Sequence, residues 1–184
     1  MLNKKCGIII INSAYTRAGE INSPLGDGGN MLTAEEIKMI DHEISLVPYR
    51  KAAGIEALKI VQQNRGWVSD ETLHEVAEYM GMSDEELDSI ATFYNLIFRK
   101  PVGRHVVLIC DSISCYVMGC NQLYENIRKV LNIKYGETTT DKKFTLLPNA
   151  CLGCCDRAPA LMVDGNLYRD VKEEMLEKIF QKYE

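Results

Sequence analysis

The chain has no hydrophobic run long enough to cross a membrane. The longest near its start, Ile8 to Ile11, is four residues, against the about 20 that a spanning helix needs. Lys4 and Lys5 precede it, but Asn12, Ser13 and Arg17 interrupt it too soon for a signal-peptide core. Positive charge is not in excess either. Lys+Arg total 21 against 26 Asp+Glu, a net charge of -5, so the footprint for non-specific nucleic-acid binding is missing. Histidine is scarce: His42, His74 and His105 are the three, none beside a cysteine, which argues against Rieske-type ligation by two histidines. No G-x-G-x-x-G follows a strand pattern and no G-x-x-x-x-G-K-[ST] loop occurs, so nothing reads as a nucleotide site. Internal repeats and low-complexity tracts are also lacking.

What the chain does have is thiol. Seven cysteines stand among 184 residues. An odd number, bunched rather than spread, suits a metal or redox site better than a disulfide framework. The expectation is a soluble protein of a reducing compartment, with no membrane span. With 46% hydrophobic and 26% charged residues, it has enough apolar matter for a core. The length fits one large domain or two small ones.

Charge and periodicity both change near Pro101. Residues 1–99 hold 9 basic and 15 acidic side chains, a balance of -6, whereas residues 100–184 hold 12 and 11, a balance of +1. Residues 1–32 carry Asn22-Ser23-Pro24 and Gly26-Asp27-Gly28-Gly29 and no periodic face, and are expected to form a flexible leader. Ile8 to Ile11 would at most add an edge strand.

Residues 33–100 read as a helical bundle. Thr33 and Glu36 have capping-box spacing before Ile37, Ile40 and Ile44, and Pro48 stops that helix. A second helix is expected over about Tyr49 to Asn64, ending before Gly66. Ser69 caps a third, with stripe Leu73, Val76, Ala77 and Met80 and terminator Gly81. Ser83 and Glu86 form another capping box ahead of Leu87, Ile90, Ala91 and Tyr94. These stripes follow the i, i+3, i+4 spacing of amphipathic helices.

Residues 101–184 alternate between strand and helix patterns. His105 to Cys110 is a continuous apolar run, as in a strand buried on both faces. Leu123, Ile127, Val130 and Leu131 mark a helix, and Phe144 to Leu147 a second strand. Leu161 to Val163 and Leu167 to Tyr168 flank Asp164-Gly165, a tight hairpin signal. A last helix is expected from about Asp170, with Val171, Met175, Ile179 and Phe180 inward. A parallel βαβ unit followed by ββα is a thioredoxin-like arrangement, so the class is α+β.

Two cysteine groups follow the two predicted parallel strands: Cys110-x₄-Cys115, and Cys151-Leu-Gly-Cys154-Cys155-Asp156. Parallel strands of a βαβ unit send both exit loops to the same end of the sheet, so residues distant in sequence converge. Four thiolates from two loops suit a [2Fe–2S] cluster. Structural zinc prefers tight knuckles in a domain short of core. A metal-free dithiol could use Cys151 and Cys154, a formal C-x-x-C pair, but it would follow the second strand rather than the first and leave Cys110 and Cys115 idle. All three readings stay open on spacing alone. Cys6 falls in the leader, and Cys120, at a helix start, reads as a small buried hydrophobe. Cys154 and Cys155 compete for one place.

Further residues narrow the choice. Ile55-Glu-Ala-Leu-Lys-Ile-Val-Gln with Arg65-Gly-Trp-Val68, Ala91-Thr-Phe-Tyr94 through Phe98, Cys110-x₄-Cys115, and Phe144-Thr-Leu-Leu-Pro148 running into Cys151-Leu-Gly-x-Cys155-Asp156 together resemble one family. This is the 24-kDa-type [2Fe–2S] subunit of proton-translocating NADH:quinone oxidoreductase (respiratory complex I), in its bacterial form. The resemblance covers the chain from about Thr33 to its end. It implies a helical bundle followed by a thioredoxin-like [2Fe–2S] ferredoxin domain, with Cys110, Cys115, Cys151 and Cys155 as the cluster ligands. Members of the family usually have a non-ligand where Cys154 stands, and the leader is longer than usual.

The resemblance further implies an electron-transfer subunit without a complete active site. Its cluster would exchange electrons with FMN held, together with the NADH site, by a partner subunit. Other peripheral-arm subunits would be partners too. The location would be cytoplasmic, attached peripherally to the inner membrane through the complex. An equivalent diaphorase subunit of an NAD-linked hydrogenase or formate dehydrogenase is the nearest alternative, and a stand-alone thiol oxidoreductase the more distant one. For docking, Phe93, Tyr94, Ile97 and Phe98 offer more apolar surface than one helix stripe needs, with Phe98→Ala expected to impair assembly.

Overall fold

Four helices open the described part of the chain, which a computed structural model gives as residues 31–183. The expected leader up to residue 30, with Cys6, Ile8 to Ile11 and the Gly26–Gly29 tether, lies outside the described residues. Helix α1 (Ala34–Ser45) starts at the anticipated capping box. The Glu36 N–H donates to Thr33 Oγ1 at 3.2 Å, and the Thr33 N–H donates to Glu36 Oε2 at 2.8 Å. Helix α2 (Gly54–Arg65) begins later than Tyr49, because Arg50–Ala53 first forms a separate 3₁₀ turn. Helix α3 (Asp70–Met80) is capped by Ser69 and stopped by Gly81 at φ +67°, a left-handed conformation natural to glycine. Helix α4 (Asp84–Phe93) has the Ser83/Glu86 capping box.

These helices enclose one core, with Ile40, Leu58, Val61, Val76, Met80 and Leu87 almost fully buried. Glu36 is buried with them. Burial alone would raise its pKa, but hydrogen bonds from Arg65 and Thr33 outweigh that and hold the carboxyl below its usual 4.5.

The segment after α4 differs from expectation. Gln62 grips it from both sides, Nε2 donating to the Leu96 carbonyl at 2.8 Å and Oε1 accepting from the Phe98 N–H at 2.6 Å. The Val68 N–H adds a bond to the Phe98 carbonyl at 2.8 Å. Ile97 and Phe98 are thereby buried, whereas Phe93 is 79% exposed and meets Tyr94 edge to face. Phe98 is therefore a core residue, and the expected docking patch shrinks to Phe93 and Tyr94.

Contacts divide the described chain between Pro101 and Val102. The second unit is built on a four-stranded sheet of order β2-β1-β3-β4. Central β1 (His105–Cys110) is buried throughout and pairs parallel with β2 (Phe144–Asn149). On its other side β1 pairs antiparallel with β3 (Leu161–Val163), which turns into β4 (Asn166–Tyr168). β2 runs two residues beyond the expected Leu147 and includes Pro148. An edge strand tolerates proline because its outer N–H needs no partner.

Before α6 (Cys120–Leu131) there is a short helix, α5 (Ile113–Val117), too brief to leave a periodic signature. The last helix is α7 (Glu173–Phe180). Val107, Ile109, Leu146 and Leu161 of the sheet share one core with Ile127 of α6 and Leu176 of α7. The β3–β4 turn uses Asp164 (φ +46°) and Gly165 (φ +81°), the two positive-φ positions the sequence signals. Asp164 also accepts from the Val106 N–H at 2.9 Å and pairs with His105 Nδ1, which puts His105 in the sheet packing. The class is α+β as expected. None of the described helices is long and apolar enough to cross a membrane.

Candidate metal centre

The register of β1 and β2 decides where the cysteines meet. Cys110 ends β1 opposite Asn149, which ends β2, and the Asp111 N–H donates to the Asn149 carbonyl at 3.1 Å. Across the other edge of β1, the Cys110 N–H donates to the Ala160 carbonyl at 3.2 Å. The loop from Asn149 to Ala160 therefore leaves one neighbour of β1 and enters the other, passing the end of β1. It carries Cys151, Cys154 and Cys155. Asp111 and Ser112 lead from Cys110 into α5, which carries Cys115. The segments that follow β1 and β2 thus carry five of the six described cysteines to one end of the sheet. Cys120 of α6, its thiol raised first by burial, stands near enough to Asp111 and Cys110 for their charges to raise it further.

Local bonds shape this loop. Asn149 Nδ2 donates to the Cys151 carbonyl at 2.9 Å. Gly153, at φ +72°, turns its N–H onto Cys151 Sγ at 3.3 Å. The Arg157 N–H closes a 3₁₀ turn on the Cys154 carbonyl at 3.0 Å, and Arg157 also pairs with Asp170. The Val171 N–H anchors the far side through the Pro159 carbonyl at 3.0 Å.

The thiols divide by burial. Cys110, Cys115 and Cys154 are buried, the last only 5% exposed, while Cys151 and Cys155 are exposed. Burial, then the adjacent Cys110 thiol, pushes the Cys115 thiol up to about 12, against a smaller opposing effect of the Ala160 backbone. Burial also raises Cys154, opposed by Arg169, with Cys110 and Cys155 near enough to contribute. The structure thus brings Cys110 and Cys115 together, sets Cys154 beside them, and leaves Cys151 and Cys155 outward on the same loop. Among the described residues no three His, Cys, Asp or Glu side chains stand at mutual ligating distance. Gathering the two exposed thiols requires their side chains to turn inward.

Cys120 is buried at the start of α6, and its burial, then the nearby Asp111 and Cys110, raise its thiol pKa. His74 is exposed against Asp84, His42 is exposed on α1, and neither belongs to this site. The dithiol reading fares poorly. A reactive C-x-x-C thiol is activated at a helix N-terminus, whereas only a three-residue 3₁₀ turn follows Cys151 and Cys154, and Cys154 is raised rather than lowered.

One feature of the site was not apparent in the sequence. Around buried Cys115, α5 and its C-cap expose Ile113 (73%), Tyr116, Val117 (74%) and Met118. The only hint was an apolar run between Ser112 and Gly119 that matches no helical stripe.

Helices followed by a thioredoxin-like sheet, with thiols collected where two parallel strands end, define a thiol-bearing metal or redox domain. The chain belongs to the thioredoxin-like [2Fe–2S] ferredoxin family, whose model matches residues 40–184. Its relatives include the E subunit of NADH-quinone oxidoreductase from Pseudomonas aeruginosa, 44% identical over 153 residues, which are 83% of this chain and 92% of that one. The protein of the same name from Escherichia coli K12 is 43% identical over 152 residues, with the same coverage. Among solved structures, a chain of the NAD+-reducing [NiFe]-hydrogenase in the H2-reduced state matches with a TM-score of 0.60 at 22% identity. That match covers 71% of this chain and 22% of the hydrogenase chain, and it speaks for the fold alone.

The donor chemistry suits the family's cofactor. Thiolates from two loops supply an all-sulfur set, and the Gly153 N–H already directed at Cys151 Sγ is the kind of donor that stabilises thiolates around a cluster. The chain is accordingly a [2Fe–2S] protein related to subunits of an NADH-oxidising oxidoreductase.

Proposed function

We propose that this chain is the electron-transfer subunit of an NADH:quinone oxidoreductase, exchanging electrons with the FMN of an NADH-oxidising partner subunit. Its ligands to the [2Fe–2S] cluster are Cys110, Cys115, Cys151 and Cys155. When bound, such a cluster accepts and returns one electron at a time. The chain's own residues hold and insulate the site. β1 and β2 fix the spacing of the two loops, the Gly153 N–H stabilises negative charge on Cys151 Sγ, and buried Leu152 keeps water from the loop's inner side. Assembly with other peripheral-arm subunits and attachment to the cytoplasmic side of a membrane belong to the same proposal.

The observation that carries the reading is the exposed apolar surface of α5 around Cys115. Ile113, Tyr116, Val117 and Met118 cost free energy in water, and such patches mark protein interfaces. A partner seated there shortens the path to the thiol site and excludes solvent from it. The relatives at 43–44% identity favour the quinone-linked enzyme. The hydrogenase likeness bears on the fold only.

The test is NADH-driven reduction. The full chain carrying its cluster, mixed with a purified flavoprotein subunit of the enzyme, is expected to bleach on NADH addition. Without the flavoprotein it stays oxidised. Bleaching by NADH alone, or none with the flavoprotein present, overturns the reading.

A further inference from the structure

Four thiolates complete a binuclear site, yet the segments at the ends of β1 and β2 carry five cysteines. The surplus residue is Cys154. It is the buried member of its loop, flanked by the exposed Cys151 and Cys155. It lies on the side occupied by Cys110 and Cys115, near enough to both for their charges to interact. Cys155 is its immediate neighbour, about 3.8 Å away along the backbone, and faces outward at the start of the 3₁₀ turn.

Adjacent side chains in this conformation point in different directions, so one backbone setting presents one of the two thiols to the site. Gly153 immediately precedes the pair. Its φ of +72° lies where glycine moves freely and other residues do not. Gly153 is therefore the position at which the loop can turn with least hindrance. The Val171 N–H bond to the Pro159 carbonyl holds the far side of the loop, and the Arg157 N–H bond to the Cys154 carbonyl favours the setting in which Cys154 faces inward.

We propose that Cys154 is a substitute ligand: when the Cys155 thiolate is lost, the Cys154 thiolate takes its place and the chain still holds a [2Fe–2S] cluster. The exchange is ligand substitution without change of oxidation state. One iron–sulfur bond to Cys155 is absent, one to Cys154 forms, and the Cys154 thiol proton leaves to solvent. In the setting seen here Cys154 is the buried thiol, so a chain without Cys155 presents it to the site without turning the loop. The proposal rests on the ligand set proposed above, in which Cys155 is the ordinary ligand.

The experiment compares full-length wild type, Cys154→Ala, Cys155→Ala and the double variant. Iron and acid-labile sulfide per chain, and the EPR spectrum of the reduced protein, are the readouts. Cys154→Ala is expected to match wild type in iron and in g values. Cys155→Ala keeps roughly half or more of the iron with displaced g values, and the double variant keeps about a tenth or less. If Cys155→Ala is as empty as the double variant while Cys154→Ala is unchanged, the substitution is wrong and the ligand set stands. If Cys155→Ala is indistinguishable from wild type while Cys154→Ala loses or alters its cluster, the ligand set itself is wrong. Cys155 is exposed, so its removal leaves the core intact. Circular dichroism of each variant after iron removal separates lost ligation from lost folding.

Discussion

Cys110 and Asn149 are register partners at the ends of two parallel strands, joined by the Asp111 N–H bond to the Asn149 carbonyl. This pairing fixes the separation of the two cysteine loops. Cys110→Ala and Cys115→Ala are each expected to abolish the cluster. Cys154 lies beside both but is tied to the second loop as the proposed stand-in for Cys155, and Cys120, though near Cys110, is held in the first turn of α6. Iron analysis and loss of visible absorption check this. Metal binding is coupled to folding, so both variants should also melt at lower temperature than the wild type.

Gly153 turns its N–H onto Cys151 Sγ only because it adopts φ +72°. A side chain there is strained by about 1–2 kcal/mol. Gly153→Ala is therefore expected to bind its cluster less firmly and lose iron to a chelator faster than the wild type. An unchanged rate of iron loss would show that the N–H contributes nothing to retention.

Phe93 and Phe98 separate surface from core within one short stretch of sequence. Phe98→Ala removes a buried ring and is expected to destabilise the helical unit by about 3 kcal/mol. Phe93→Ala, on an exposed side chain, should alter stability by less than about 0.5 kcal/mol yet weaken co-purification with the flavoprotein subunit. Denaturant titration reads the first effect and pull-down the second.

Glu36 accepts hydrogen bonds from Arg65 Nε at 3.1 Å and Nη2 at 3.0 Å inside the bundle. Its carboxyl is held below its usual 4.5 despite the opposing effect of burial. Because the folded value is the lower one, the stabilisation is complete above 4.5 and is lost as pH falls through the folded pKa. Glu36→Gln should flatten the acid limb of the stability profile below about pH 5. Glu36→Ala should cost about 3 kcal/mol at neutral pH, since it leaves Glu75, at 3.5 Å, as the one carboxylate paired with Arg65. Urea denaturation at stepped pH distinguishes the two.

The helices of the first unit were legible because caps and stripes are local signals. Thr33/Glu36, Ser69 with Gly81, and Ser83/Glu86 fix helix ends through short-range bonds and turn chemistry. The Asp164-Gly165 turn is local in the same sense, since both residues tolerate positive φ. Three features escaped. Helix α5 is too short for periodicity to register. The burial of Ile97 and Phe98 depends on Gln62, which lies far earlier in the chain. β2 runs on through Pro148, which only the strand's edge position makes acceptable.

The longer helices, the strands, the two groups of thiols and their association with two strand ends follow from spacing along one chain, so the order of amino acids was enough to settle them. Tertiary packing settled the rest: which of three neighbouring cysteines turns inward, and that an apolar helix surface surrounds Cys115. Direction and exposure depend on φ at Gly153 and on what packs across β1, and neither is encoded in the distance between cysteines along the chain.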